Sequence, residues 1–200
     1  MQIGLMCIDD FYDDPDYVRS IALDAEYYDD KKSLGYKNGN APWPGKMSKH
    51  AYAPNWIDAK VSRMLNKNLR QMRQLDSGCF RISPEQSVSS NMLHADAHNE
   101  IYYAAVLYLT KDKEDTPGTL FYKHKPTNSD KALNEDHIKS ILINDEFNDL
   151  SKWTLHTVSN IVYNRMLVYP ANKFHGIGPV FGQTDETARL VQIFNFIEIK

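Results

Sequence analysis

The sequence is poor in cysteine: of its 200 residues only Cys7 and Cys79 carry thiols. Two such distant cysteines cannot build a disulfide framework and do not form a Cys-x-x-Cys pair, which makes a reducing, cytosolic setting the simplest one. Excess charge is also lacking. Lys and Arg number 23 against 26 Asp and Glu, for a net charge of −3. Nothing in that balance draws the chain to nucleic acid or to an anionic membrane. Long apolar runs are absent, so no segment approaches the ~18 residues of a membrane helix. The apolar start, Met1 to Ile8, is short and has no basic region before it, so it reads as a first strand rather than a signal peptide. Repeats, low-complexity tracts and linkers are missing too, and one domain spanning 1–200 is the expectation.

What is present suffices for a folded protein. Apolar residues make up 42% of the chain, enough for a core, and its 12 tyrosines suit half-buried strands and the walls of polar pockets. Residues 1–77 read as mostly helical support. Asp14-Pro15-Asp16 opens a helix, with Pro in the first turn and acids at its positive end. Tyr17, Ile21, Ala22 and Ala25 share its expected inner face. Asn38 to Gly45 is turn-rich. A second helix is expected from about Asn55 to Leu75, with Ile57, Val61, Met64, Leu65, Leu69 and Met72 as its stripe and a solvated basic face opposite. From Gly78 onward the pattern is β. Strands are expected at Cys79–Ser83, Glu100–Thr110, Gly118–Tyr122, Trp153–Tyr163, Arg165–Tyr169, Lys173–Ile177 and Ala188–Ile199. Glu135 to Asn148 fits a helix or an irregular insertion. The class is mainly β with flanking helices: residues 78–200 form a double-sheet barrel or jelly roll.

Chemistry concentrates in Met92 to Glu100, MLHADAHNE. In extended chain, residues two apart point to one face, so His94 and Asp96 project together. An imidazole nitrogen beside a carboxylate oxygen supplies two ligands of a facial metal site. His175, just past a strand and followed by Gly176 and Gly178, is the best candidate for the third. Two His and one carboxylate hold Fe(II) on one face and leave positions open for O₂ and an organic co-substrate. A structural zinc site would be closed by four ligands and would favour Cys. Taken alone, a His-x-Asp pair is common on solvated surfaces. The distal His and a downstream Arg give this one its weight. His98 also stands two residues from Asp96 and competes for the assignment.

These residues resemble the Fe(II)- and 2-oxoglutarate-dependent oxygenases, on the prolyl-4-hydroxylase-like side of that superfamily. The pattern stands here as His94-Ala95-Asp96, Leu107-Tyr108-Leu109-Thr110, Pro117-Gly118-Thr119-Leu120-Phe121, His175-Gly176 and Arg189, covering residues 78 to 198. Phe11-Tyr12-Asp13-Asp14-Pro15, with Val18-Arg19 and Ala22-Leu23, is similar to the opening of a phage and bacterial subgroup. Two features depart from the pattern: Pro117 replaces the first glycine of a pair, and the basic residue follows the distal His by a longer interval than in several branches. The resemblance implies a double-stranded β-helix. It implies His94, Asp96 and His175 as metal ligands and catalytic residues, which leaves His98 beside the substrate or simply exposed. It implies that 2-oxoglutarate chelates the iron and that Arg189 grips its far carboxylate, as a guanidinium can with two parallel hydrogen bonds. Tyr103, Tyr108 and Thr119 are the candidate hydroxyl donors, and Asn91 and Gln192 could line the pocket. Arg165 sits at a turn and reads as structural. The implied reaction decarboxylates 2-oxoglutarate to succinate and hydroxylates a peptidyl residue or a small molecule. Asp96 argues against a halogenase, which lacks that carboxylate.

Two other readings compete. A cupin-type metal enzyme would use a related barrel and histidines but would need no Arg for a co-substrate. In a non-catalytic jelly roll, a structural or binding module, His94, Asp96 and His175 need not converge. Convergence of the three in space, with metal, would separate the last case from the others.

Overall fold

A computed structural model describes residues 4–28, 44–73, 76–87, 93–97 and 102–199. Asn91, His98 and Asn99, the tip of the Asn38–Gly45 turn and Leu75 lie outside these residues. The described chain is mainly β, in antiparallel sheets with few helices. Strand β1 (Met6–Ile8) leads into helix α1 (Pro15–Asp24). The short strand β2 (Lys46–Met47) precedes helix α2 (Trp56–Leu65) and strand β3 (Leu69–Gln71). There follow β4 (Phe80–Ser83), β5 (Tyr102–Tyr108), β6 (Pro117–His124), α3 (Glu135–Ile143), β7 (Trp153–Asn160), β8 (Met166–Pro170), β9 (His175–Ile177) and β10 (Arg189–Glu198). The large sheet runs β1-β8-β5-β10-β4-β2, with β3 joined to β10, and the small sheet runs β7-β6-β9.

Helix α1 forms as expected at its start. The Asp14 side chain accepts from Tyr17 N at 2.9 Å, and Pro15 occupies the first turn. Its inner face is set differently: Val18 and Ala22 are buried, Tyr17 is 57% exposed, and Ala25 is already extended. The second helix is much shorter than the apolar stripe suggests. Asn66 adopts the left-handed conformation (φ 52°, ψ 48°), and the Ser62 hydroxyl accepts from Leu69 N at 2.9 Å, so the chain turns out of the helix into β3. Leu65 and Leu69 are both buried, but from a helix and a strand respectively, which is why the periodicity appeared to continue. The uncertain stretch from Glu135 resolves into α3, capped by the Asn134 side chain on His137 N, and a 3-10 turn at Glu146–Asn148.

Period-two alternation sorts the large sheet into two faces. Tyr103, Ala105 and Leu107 of β5, Met166 and Val168 of β8, and Leu190, Phe194 and Phe196 of β10 pack with Val18, Ala22, Ile57 and Val61 of the helices. The alternate residues Ala104, Tyr108, Leu167, Tyr169 and Val191 pack with Phe121 of the small sheet. The central strands are therefore buried on both faces. Asn164 (φ 64°) closes the turn before β8 and holds Tyr12 through both side-chain amide atoms. Arg165 pairs with Asp9 at 2.5 and 2.9 Å, the structural place its turn position suggested. Among the described residues, no helix is long and apolar enough to cross a membrane.

Candidate metal centre

The segment 93–97 runs against β9. His94 N donates to His175 O and His175 N to His94 O, both at 2.8 Å, an isolated antiparallel bridge that brings the two imidazoles within 4.2 Å between ring centroids. Asp96 follows two residues on, at the spacing that returns its carboxylate to the same side. Its Oδ1 lies 3.1 Å from His94 Nε2 and its Oδ2 lies 3.5 Å from His175 Nε2. One ligand atom from each of the three residues falls within 4.8 Å of the others. The structure thus brings together the three residues singled out from the sequence.

Hydrogen bonding fixes the state of His175. Its Nδ1–H donates to the Lys173 carbonyl at 2.9 Å, so Nε2 carries the lone pair and faces Asp96. Burial, reinforced by His94, pushes its pKa down to about 4, so the ring is neutral near pH 7. Burial works against the charge of Asp96, but His175 and His94 outweigh it and its pKa lies below the usual value. A lone pair facing a carboxylate across 3.5 Å is an unfavourable pairing that a cation between them would resolve. The donor set therefore fits a divalent metal. Tyr169 and Phe121 pack on the His175 ring at 4.8 and 6.2 Å.

Arg189 begins β10, opposite Ser83 of β4. It is among the largest fully enclosed side chains, 2% exposed. One Nη donates to Gly118 O at 3.1 Å, and Nε is buried without a partner among the described residues. Among the described residues no carboxylate pairs with it. Burial pushes its pKa below the ordinary arginine value, while the nearby Tyr108 and Tyr169 push the other way. Desolvating a cation without a counter-ion is expensive. Arg189 lines one cavity of about 200 Å³ together with His94, Asp96, His175, Thr119 and Tyr169.

The candidate hydroxyls separate by strand parity. Tyr108 lies on the cavity side of β5, and its hydroxyl is 2.7 Å from Thr119 Oγ1. Gly118 rests on the Tyr108 ring so closely that a Cβ there would sit 2.8 Å from it. Tyr103, one strand position out of phase, faces the helices, with the Lys67 ammonium 5.6 Å from its ring centroid. It is not at the cavity. Gln192 is corrected in the same way: it accepts from the Tyr12 hydroxyl and donates to the Tyr52 and Gly78 carbonyls on the helix side. Tyr169 is a cavity residue that reading the sequence missed. Its only signal is its register opposite Ala104, visible once the pairing of β8 with β5 is known.

Residues 2–179 match the profile of a family of unknown function, DUF6445. The chain belongs to DUF6445. No curated protein matches this DUF6445 member. Solved structures similar to it include EvdMO1 (TM-score 0.60, 12% identity, 100% of this chain and 48% of that one). HygX from Streptomyces hygroscopicus, solved with nickel and 2-oxoglutarate bound, is similar at TM-score 0.51 and 13% identity, over 98% of this chain and 84% of that one. A Pseudomonas putida prolyl-4-hydroxylase is similar at TM-score 0.50 and 12% identity, over 98% and 93%. The DUF6445 chain spans about half the length of EvdMO1. At these identities the likeness is one of fold.

Proposed function

We propose that this chain is an Fe(II)- and 2-oxoglutarate-dependent oxygenase, built as one double-stranded β-helix domain, that hydroxylates a peptidyl residue or a small molecule. The observation that carries the reading is Arg189: a fully buried guanidinium with an unpartnered Nε, in the cavity where His94, Asp96 and His175 converge. A cupin-type metal site needs no such cation, whereas a dicarboxylate co-substrate is held by one. His94, Asp96 and His175 would hold the iron. Bound iron with 2-oxoglutarate and O₂ supplies C–H oxidation coupled to release of succinate and CO₂.

The protein's own contribution is placement. Lys173 O keeps the proton of His175 on Nδ1 and so leaves Nε2 free to ligate. Arg189 anchors the far carboxylate of 2-oxoglutarate, and the Tyr108–Thr119 hydroxyl pair borders that anchor. Tyr169, Phe121 and Val191 form an apolar wall that limits water at the reacting carbon. The two free cysteines agree with a reducing cytosolic setting.

Succinate formation by iron-loaded protein given 2-oxoglutarate in air tests this reading. Wild type is expected to turn over slowly without a primary substrate. His94→Ala and Arg189→Ala are expected to lose that turnover. Saturating 2-oxoglutarate should partly rescue Arg189→Ala but not His94→Ala. Equal rescue of both, or a wild type that forms no succinate, would refute the assignment.

A further inference from the structure

A second polar cluster lies behind the metal centre and takes no part in the chemistry above. Residues 125–152 connect β6 to β7 and carry α3 and two 3-10 turns. This connection folds back so that Ala132 and Ile141 pack with Trp153, Leu93 and Phe174. Leu93 and Phe174 immediately precede His94 and His175 in the chain. The packed block therefore supports both imidazoles through their direct neighbours. Backbone bonds tie it to the same strand: Ala132 N to Asn172 O at 2.8 Å and Phe174 N to Asp130 O at 3.1 Å, beside an ion pair between Lys173 and Asp130.

The block is closed by a hydrogen-bond chain that runs through His137, Thr127, His124 and Glu146, with the Thr127 hydroxyl 2.9 Å from His124 Nδ1. Leu133 N–H donates to His137 Nδ1 at 3.2 Å, which places the His137 proton on Nε2. That N–H faces Thr127 Oγ1 at 3.3 Å and His124 Nδ1 at 3.4 Å. His124, 2% exposed at the end of β6, then carries its own proton on Nε2 and donates it to Glu146 Oε2 at 3.0 Å. The backbone carbonyl of Glu146 accepts from Trp153 Nε1 at 2.7 Å, and Phe147 stacks on Trp153. The rings of Trp153 and His137 abut Phe174 at 4.8 and 5.7 Å. An apolar filling could occupy this space. A directional chain instead fixes one register of the block against the ligand-bearing backbone.

We propose that His124, Glu146 and His137 are positioning residues for the metal centre, acting through Phe174 and Leu93 to set the spacing of His175 and His94. This rests on reading His94, Asp96 and His175 as the metal ligands. Co(II) titration of the full chain, followed by visible absorption, tests both ideas and keeps them distinct. Wild type should bind Co(II) with ligand-field bands that are lost in Asp96→Ala. Glu146→Ala, confirmed folded by circular dichroism, should bind Co(II) about 10-fold more weakly, with shifted bands. Glu146→Gln keeps an acceptor for His124 Nε2–H and should return affinity and bands to near wild type. His137→Gln, a milder change, should weaken Co(II) in the same direction and carries the test if Glu146→Ala does not fold. A folded Glu146→Ala, or His137→Gln, that is less heat-stable yet keeps wild-type affinity and bands would overturn the proposal and leave the metal reading intact. A wild type with no Asp96-dependent Co(II) signal would overturn both.

Discussion

Replacing Arg189 by Met should stabilise the ligand-free protein and abolish its response to 2-oxoglutarate. The guanidinium is fully enclosed and, among the described residues, has one hydrogen bond, to Gly118 O, and an Nε without a partner. Its desolvation is balanced by no carboxylate among the described residues. Exchanging a buried ion pair for apolar side chains of similar volume is often neutral or gains on the order of 1–4 kcal/mol, and a buried cation with no carboxylate beside it has less attraction to lose in such an exchange. Losing the Gly118 bond offsets about 1–2 kcal/mol of that, because a carbonyl is left without its donor. Mid-range values of the two terms leave a net gain of about 1 kcal/mol, roughly 2–4 °C in Tm for a chain of this size. The response to co-substrate should run the other way. With Ni(II) as a redox-inert metal and 2-oxoglutarate at about 100 times its Kd, wild type should gain about 2.7 kcal/mol, or roughly 5–11 °C. Arg189→Met should gain little, so the order of stabilities inverts between the two conditions. Scanning calorimetry of both proteins, with and without 2-oxoglutarate, reads this directly. A less stable Arg189→Met that still responds to 2-oxoglutarate like wild type would show that Arg189 is a structural arginine and that the anion anchor lies elsewhere.

Three further outcomes follow from the same geometry. Stripping metal from loaded protein with a chelator should lower Tm in wild type but leave Asp96→Asn unmoved, since only the former has a site to empty; equal shifts would point to metal held elsewhere. Gly118→Ala places a Cβ 2.8 Å from the Tyr108 ring and should displace both that ring and the carbonyl that Arg189 uses, at about 1–3 kcal/mol of stability, with a higher KM for 2-oxoglutarate; an unchanged KM would detach Tyr108 from the anchor. Tyr12→Phe leaves the buried Gln192 carbonyl oxygen without its donor and should cost about 1–3 kcal/mol. Because that bond lies on the helix side of the sheet, succinate formation by the remaining folded protein should be unchanged, and a selective loss of turnover would contradict the two-face description.

How far the sequence could be read depended on whether each signal was local. The long strands β5 and β10 were plain from their runs of apolar and aromatic residues. The overextended second helix shows the converse. Leu65 and Leu69 keep a four-residue spacing through Asn66, and only the left-handed turn at Asn66 and the Ser62–Leu69 bond reveal that Leu69 belongs to a strand. In the 135–148 stretch, Ile141 is buried while Leu142 and Ile143 are 61% and 83% exposed. An apolar cluster with one inward residue gives no clean period, so helix and insertion looked alike.

The same reasoning explains which site residues were legible. His94 and Asp96 are adjacent in a period-two segment, and their common direction needs no knowledge of partners. Choosing between Tyr103 and Tyr108 does need it. β5 reads YYAAVLY and is enclosed on both faces, so hydrophobicity does not alternate along it and cannot say which tyrosine shares the face of Thr119 and Arg189. The decision comes from the neighbours: Tyr103 pairs with Phe196 and looks toward the helices, while Tyr108 pairs with Val191 and looks toward Thr119. Arg189 is subject to the same parity, two residues from Val191 and on its face. A cation on an enclosed face of a central strand is a cost that the fold alone gives no reason to keep. That cost has a purpose when an anion completes the cavity. On the proposed reading, Arg189 is the residue whose placement is unfavourable until 2-oxoglutarate arrives, and that is what ties the buried charge to function.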